Sequence, residues 1–197
     1  PSRCGALAHM ILSKLFPKSS FVPACAATLL LSAGSSLAEV RLHALFTDHA
    51  VLQQGREIPV WGWADDGEKV IVEFRDQQVE TVADDGRWMV RLDAETAGGP
   101  DVLVVRGNNV LVVKDVLVGE VWLASGQSNM QWAMRQTYQP ESAIENSENP
   151  NLRLFYVPRV QSDEPTENVD AAWTHSNPET TPGFSAVAYY FGRSLQE

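Results

Sequence analysis

The sequence predicts an α+β chain in two parts, a β-sandwich- or jelly-roll-like module followed by the opening of an α/β unit. Three observations carry this. Two segments, Lys69–Phe74 and Arg87–Leu92, alternate apolar and polar side chains with a period of two, the mark of a strand with one buried face. Val102–Val105 and Val110–Val113 flank Arg106-Gly107-Asn108-Asn109, a hairpin signal. From Val116 the pattern changes to an apolar run, a sharp turn and then helical spacing.

The N-terminal stretch reads differently from both parts. Met10 to Lys18 is a short segment with two positive charges. Ser19 to Ala38 is uncharged, contains the apolar stretch Phe21–Ala33, and ends in Ser36-Leu37-Ala38. That is the layout of a secretory signal peptide, with cleavage expected after Ala38 and a secreted or periplasmic product. Residues 1–38 are therefore set apart as signal peptide and upstream residues. A retained anchor fits less well, because Ser, Pro23 and Gly34 interrupt what a spanning helix of about 20 apolar residues would need. Both cysteines, Cys4 and Cys25, lie in this stretch, so the rest of the chain forms no disulfide and must be held by apolar burial.

Residues 39–118 are the β module. Val70, Val72 and Phe74 form one apolar face, and Trp88, Val90 and Leu92 another. Asp84-Asp85-Gly86 is the turn between those runs. Several short strands with regular turn signals predict a two-sheet module. Residues 119–197 are the second part, whose leading strand reads as Val116–Ala124. Helical spacing follows over Met130–Thr137, and Asn151–Val157 alternates as a strand. Gln161–Asn168 is a polar loop with Pro165. Ala186–Gln196 has the spacing of an amphipathic helix, apolar at Val187, Tyr190, Phe191 and Leu195. No capping glycine ends that helix. The chain reads as cut inside it, which makes the N-terminal part of a longer protein the expectation.

Charge limits the partners. The chain has 15 Lys+Arg and 25 Asp+Glu, and removing Arg3, Lys14 and Lys18 leaves residues 39–197 at a net −13. That argues against nucleic acid or an anionic membrane surface as a partner. No residues stand at metal-ligand spacing and no phosphate-binding glycine loop is present, so neither a metal nor a cofactor is expected.

The chemistry concentrates in Gly126-Gln127-Ser128-Asn129-Met130. A serine at a strand-to-helix turn has an exposed hydroxyl, and its amide sits where unpaired N–H groups favour negative charge. A serine nucleophile needs both. A serine in front of a helix can equally be a simple N-cap. Met130 stands where the α/β-hydrolase elbow Gly-x-Ser-x-Gly has its second glycine, which argues against that fold.

The longer segment Gly119-Glu120-Val121-Trp122-Leu123-Ala124-Ser125-Gly126-Gln127-Ser128-Asn129-Met130-Gln131-Trp132 resembles the first sequence block of the sialate O-acetylesterases. Asp48–Gln54, Pro59–Ala64, Asp85–Trp88, Ala97–Pro100 and Gly183–Arg193 resemble further stretches of that family. The resemblance covers nearly all of residues 39–197. It implies an SGNH-hydrolase-like α/β domain whose start is residues 119–197, and a carbohydrate esterase that removes O-acetyl groups through a Ser128 acetyl-enzyme. It implies an O-acetylated sugar or glycan as substrate and no cofactor. Gln127 and Asn129 are candidates for oxyanion or substrate contact, and Trp132 for a pocket wall. Gln127 replaces the aspartate of the wider SGNH block.

The catalytic His and Asp of such esterases lie near the domain's C-terminal end, and the resemblance implies that this block is missing here. His43 and His49 precede Ser128 and read as structural or surface residues. His175, in the polar segment Trp173–Pro178, is the downstream candidate base, just before a family motif without a catalytic role. The chain alone is accordingly expected to be inactive. Two other readings are an acetylxylan esterase of the same chemistry and a non-catalytic carbohydrate-binding β module on a degenerate hydrolase. The six tryptophans invite sugar stacking, but Trp is also a common filler of small β cores.

Overall fold

The computed structural model describes residues 39–196, which belong to one compact unit. The signal-peptide expectation falls outside the described residues. The architecture is mixed α+β, dominated by sheet and with few helices.

Eight strands come first: β1 (Arg41–Leu42), β2 (Val51–Gln53), β3 (Ile58–Trp63), β4 (Lys69–Phe74), β5 (Gln77–Val82), β6 (Arg87–Leu92), β7 (Gly98–Arg106) and β8 (Val110–Gly119). They form a three-stranded sheet in the order β1-β3-β6 and a five-stranded sheet in the order β2-β8-β7-β4-β5. The alternation seen in the sequence decides which side chains point inward. Val70, Val72 and Phe74 are buried on β4, and Trp88, Val90 and Leu92 on β6. With Ile58, Val60, Leu103, Val105, Val113, Val116 and Val118 they make one apolar core shared by both sheets. The chain crosses between the sheets at Asp84-Asp85-Gly86, where Asp85 and Gly86 take φ of 51° and 71°.

The hairpin is longer than its sequence signal, running from Gly98 to Gly119 with Arg106 opposite Val110. It contains one irregularity that matters later. Asp101 pairs with Val116 and Leu103 with Val113, so Lys114 and Asp115 together face the single residue Val102. This is a β-bulge, and Asp115 sits in it at φ 56°.

The apolar run after Val116 is not one strand. β8 stops at Gly119, and Glu120–Gln127 is irregular and exposed. A strand needs a ladder partner. The parallel partner β2 ends where Gln53 meets Gly119, so nothing carries the ladder further. Val116–Gly119 thus serves the five-stranded sheet instead of leading a separate one.

Beyond it lie α1 (Ser128–Gln131), a 3₁₀ turn at Met134–Gln136, α2 (Glu141–Glu145), β9 (Asn149–Phe155), β10 (Trp173–Ser176) and α3 (Ala186–Ser194). The expected helix over Met130–Thr137 is instead two short pieces parted by Trp132 and Ala133. The polar segment that holds His175, which reads as a loop in the sequence, supplies β10 instead, antiparallel to β9. A small second core gathers Met134, Ala186 and Tyr189 with Ile144, Leu152 and Phe184 beside them. Among the described residues no helix is long and apolar enough to cross a membrane.

Candidate active site

The segment from β8 to Ser128 is fastened at its start. Gln54 N–H donates to Gly119 O at 2.9 Å, and Val121 N–H donates to Gln53 Oε1 at 2.9 Å. Glu120 accepts from Gln54 Nε2 at 2.7 Å and from Gln53 Nε2 at 3.1 Å. These bonds to the charged form lower the Glu120 pKa, Gln54 contributing most. Two stretches of the family resemblance, Asp48–Gln54 and Gly119–Trp132, therefore meet here through the Gln53-Gln54 pair.

The far side of the turn is held by another of those stretches, Gly183–Arg193. Ala186 N–H donates to Trp132 O at 2.9 Å, and Met134 N–H donates to Phe184 O at 2.9 Å. Ser185 caps α3 by accepting from Ala188 N–H at 3.3 Å. Trp122 meets Phe191 of α3 edge to face, with centroids 5.3 Å apart. Gly126 is needed for space, since a Cβ there would lie 2.9 Å from Met130 Cβ.

Between these fastenings Gln127, Ser128 and Asn129 are exposed on the surface. Ser128 is the first residue of α1, and Gln127 is its N-cap residue without a side-chain capping bond. Ser128 is therefore not spent as a cap. Helix geometry leaves the first-turn amides without intrahelical acceptors. Trp132 is half-exposed, and its indole N–H donates to Gln136 O at 2.9 Å. An open hollow of about 250 Å³ is lined by Leu154, Tyr156, Thr174 and Phe184, with none of the four candidate residues on its wall.

The other tryptophans divide by role. Trp88 and Trp173 are buried, and their indoles donate to Trp63 O and Leu45 O. Trp61 packs on the core, edge-on to Phe46. The Trp63 ring is covered by the Arg41 guanidinium and by His43.

The sequence reading named His49 and His175 but missed the aspartate and arginine that join them. Asp115 Oδ2 lies 2.6 Å from His49 Nδ1 and 2.7 Å from His175 Nε2. Arg153 grips the same carboxylate with both arms, at 2.8 Å to Oδ2 and 3.0 Å to Oδ1. The Arg153 hydrogen bonds, followed by those of His49 and His175, hold the Asp115 carboxyl well below the usual carboxylate range, against the opposing effect of burial. His49 and His175 are thus partners of one aspartate. Among the described residues no hydrogen bond joins either to Ser128.

The comparisons with known proteins agree with this frame. Among solved structures the chain is similar to a carbohydrate acetylesterase from Xanthomonas citri, at 39% identity and a TM-score of 0.78, over 80% of this chain and 37% of that one. Among curated proteins it is 33% identical over 160 residues to the sialate O-acetylesterase of Homo sapiens, and 32% identical over 163 residues to that of Mus musculus, in each case over 70% of this chain. The chain is homologous to the sialate O-acetylesterases. It spans about 30% of the length of those relatives. No family model matches it.

Proposed function

We propose that this chain carries the nucleophile block of a carbohydrate O-acetylesterase, with sialate O-acetylesterase as the favoured reading. In this reading residues 39–118 are a jelly-roll-like module and residues 119–197 begin an SGNH-type domain. The observation that carries it is Ser128 at the exposed head of α1, held from both sides by stretches that resemble the same family. Ser128 Oγ attacks the acetyl carbonyl as a base takes its proton. The developing oxyanion is held by pre-aimed donors, of which the Ser128 amide is one. The sugar alkoxide leaves with a proton, and water then frees acetate from the acetyl-enzyme. Gln127 and Asn129 flank the reacting group and Trp132 borders it.

The base belongs to the part of the relatives' length that this chain does not span. His175 bonds Asp115 through Nε2, and among the described residues no hydrogen bond joins it to Ser128. The substrate is an acetylated sugar. The solved relative is a carbohydrate acetylesterase and the curated ones act on sialate, so the comparisons favour the acetyl group over any one sugar.

The test is 4-nitrophenyl acetate hydrolysis by the full-length gene product. Ser128→Ala is expected to lower kcat by about 10⁴–10⁶ with binding of an acetylated sugar retained, and Ser125→Ala by less than about tenfold. Equal losses at the two serines would refute the assignment. The 197-residue chain alone is expected to show no Ser128-dependent rate.

A further inference from the structure

We propose that His49, Asp115 and His175 form a binding site for a divalent transition metal of the zinc class. The donor atoms are His49 Nδ1, His175 Nε2 and Asp115 Oδ2, all within 4.8 Å of one another. Two imidazoles and one carboxylate are a donor set that zinc uses when it keeps a fourth position for water. The three come from separate places in the fold. His49 stands in the turn before β2, Asp115 in the β8 bulge, and His175 on β10.

Each ligand is aimed by its surroundings. The His49 turn is stitched to the bulge by His49 N–H to Lys114 O at 3.0 Å and by Lys114 N–H to Asp48 Oδ1 at 2.7 Å. The bulge turns Asp115 out of the strand's ordinary alternation. His175 lies directly across from Arg153 in the β9–β10 pair, so both side chains project from one face toward Asp115. Arg153, whose side chain is 3% exposed, fixes the carboxylate plane from behind. Hydrogen bonds of this kind hold a metal-binding carboxylate in its orientation.

The arrangement is crowded as a plain ion-pair cluster. Asp115 Oδ2 has three nitrogens within 2.8 Å, from His49, His175 and Arg153. A carboxylate oxygen offers about two lone-pair sites. A cation changes the roles of the two rings. Each would present a lone pair in place of an N–H, with its proton on the other ring nitrogen, while Arg153 keeps its bonds. Zinc bonds of roughly 2.0–2.2 Å require the two short contacts of Asp115 Oδ2 with the imidazole nitrogens to widen by less than about 1 Å. Side-chain exposures of 39%, 27% and 31% for His49, Asp115 and His175 leave a route for the ion and for a coordinated water. Arg153 already balances the Asp115 charge, so the ion's own charge is uncompensated and the affinity is expected to be moderate. Among the described residues no hydrogen bond joins the cluster to Ser128, and the proposed esterase chemistry calls on no metal.

The test is calorimetric titration of ZnCl₂ into the untagged, chelator-stripped 197-residue chain, repeated with His49→Asn and His175→Gln. Asn is chosen because His49 has φ 71°, a conformation Asn tolerates. We expect one saturable zinc at roughly micromolar Kd, weakened about tenfold or more in each variant. At a hundredfold excess over Kd the melting temperature should rise by about 5–10 °C in the parent chain. Cys4, Cys25 and His9 remain in both variants, so binding that depends on them would persist unchanged and overturn the proposal. Absence of saturable binding to the parent chain would do the same. A Co²⁺ titration provides a second readout if a variant folds poorly. A visible ligand-field band of low-coordinate form in the parent chain supports the site, and the spectrum of hexaaqua cobalt alone refutes it.

Discussion

The strands up to Gly119 and the segment after it use apolar residues in opposite ways. The first region sinks them into one core of eighteen buried residues, from Val40 to Val118. The second buries three in its own cluster, Met134, Ala186 and Tyr189. Of the seventeen large hydrophobic residues with exposed side chains among the described residues, twelve follow Gly119, among them Trp122, Leu123, Trp132, Tyr190 and Phe191. The part of the fold that is short of burial is therefore the part that carries Ser128. The strands supply the rigidity, and they pass it on through the Gln53-Gln54 bonds, the Asp115 cluster and the Trp173 indole.

The largest expected effect tests that asymmetry directly. Leu103 is fully buried and pairs with Phe74 and Val113, so Leu103→Ala should destabilise the global fold by about 2–5 kcal/mol. Tyr189→Ala removes a larger side chain from the smaller cluster. It should leave the urea midpoint of the strand region nearly unchanged and raise hydrogen exchange only within residues 120–196. If Tyr189→Ala lowers the global midpoint as far as Leu103→Ala does, the two regions unfold together and the contrast fails.

An intermediate effect belongs to the Asp115 cluster, which ties β9 and β10 to β8. Its carboxyl is depressed in the folded state, first by Arg153. The stability it contributes is complete above the unfolded pKa, near 3.8, and is lost as pH falls from there toward the folded value. Arg153→Met should cost about 1–3 kcal/mol at pH 6, since it removes two hydrogen bonds to a charged group that is itself partly solvated. It should also flatten the loss of stability between about pH 4 and pH 2. Urea midpoints at pH 6, 4 and 2.5 for both proteins measure this. Parallel acid slopes would show that the cluster is not what the second region leans on.

These regions also differ in how much of them the sequence disclosed. Where a side chain's fate follows from its neighbours along the chain, the reading succeeds. Val70, Val72 and Phe74, and Trp88, Val90 and Leu92, point inward as their alternation requires. The helical spacing from Ala186 becomes α3, but the expected apolar face of Val187, Tyr190, Phe191 and Leu195 is exposed, and Ala186 and Tyr189 are the side chains that α3 buries. Where the outcome depends on a distant partner, the reading stops short. Val121-Trp122-Leu123 is as apolar as the strand before it, and only the end of β2 decides that β8 closes at Gly119. The Asp115 cluster joins residues 60 and 66 positions apart and depends on a bulge that simple alternation misses. Lys114-Asp115 interrupting a valine-rich strand was the available signal. The exposed position of Ser128 agrees with an accessible hydroxyl, while the roles of Gln127, Asn129 and Trp132 depend on a substrate.

The smallest effect concerns how the rigid strands reach Ser128. Gln53 accepts from the Val121 amide and donates to Glu120, so it clamps the first residues after β8. Its bonds lie at the surface, and Gln53→Ala should change global stability by no more than about 0.5 kcal/mol. The clamp nonetheless sets where the exposed segment departs from the sheet. Without it the Val121 amide loses its acceptor, and exchange there should speed up by about tenfold. The acceleration should fade toward Gln131, whose N–H donates to Gln127 O inside α1, and leave β7 and the core of β8 untouched. In a protein that spans the relatives' whole length, the same change should lower kcat toward 4-nitrophenyl acetate far less than Ser128→Ala, because it disturbs the placement of the proposed nucleophile without removing it. Unaltered exchange at Val121 in Gln53→Ala would mean that the turn is held by α3 alone, through Trp132 and Ala186, and that the strands do not position Ser128.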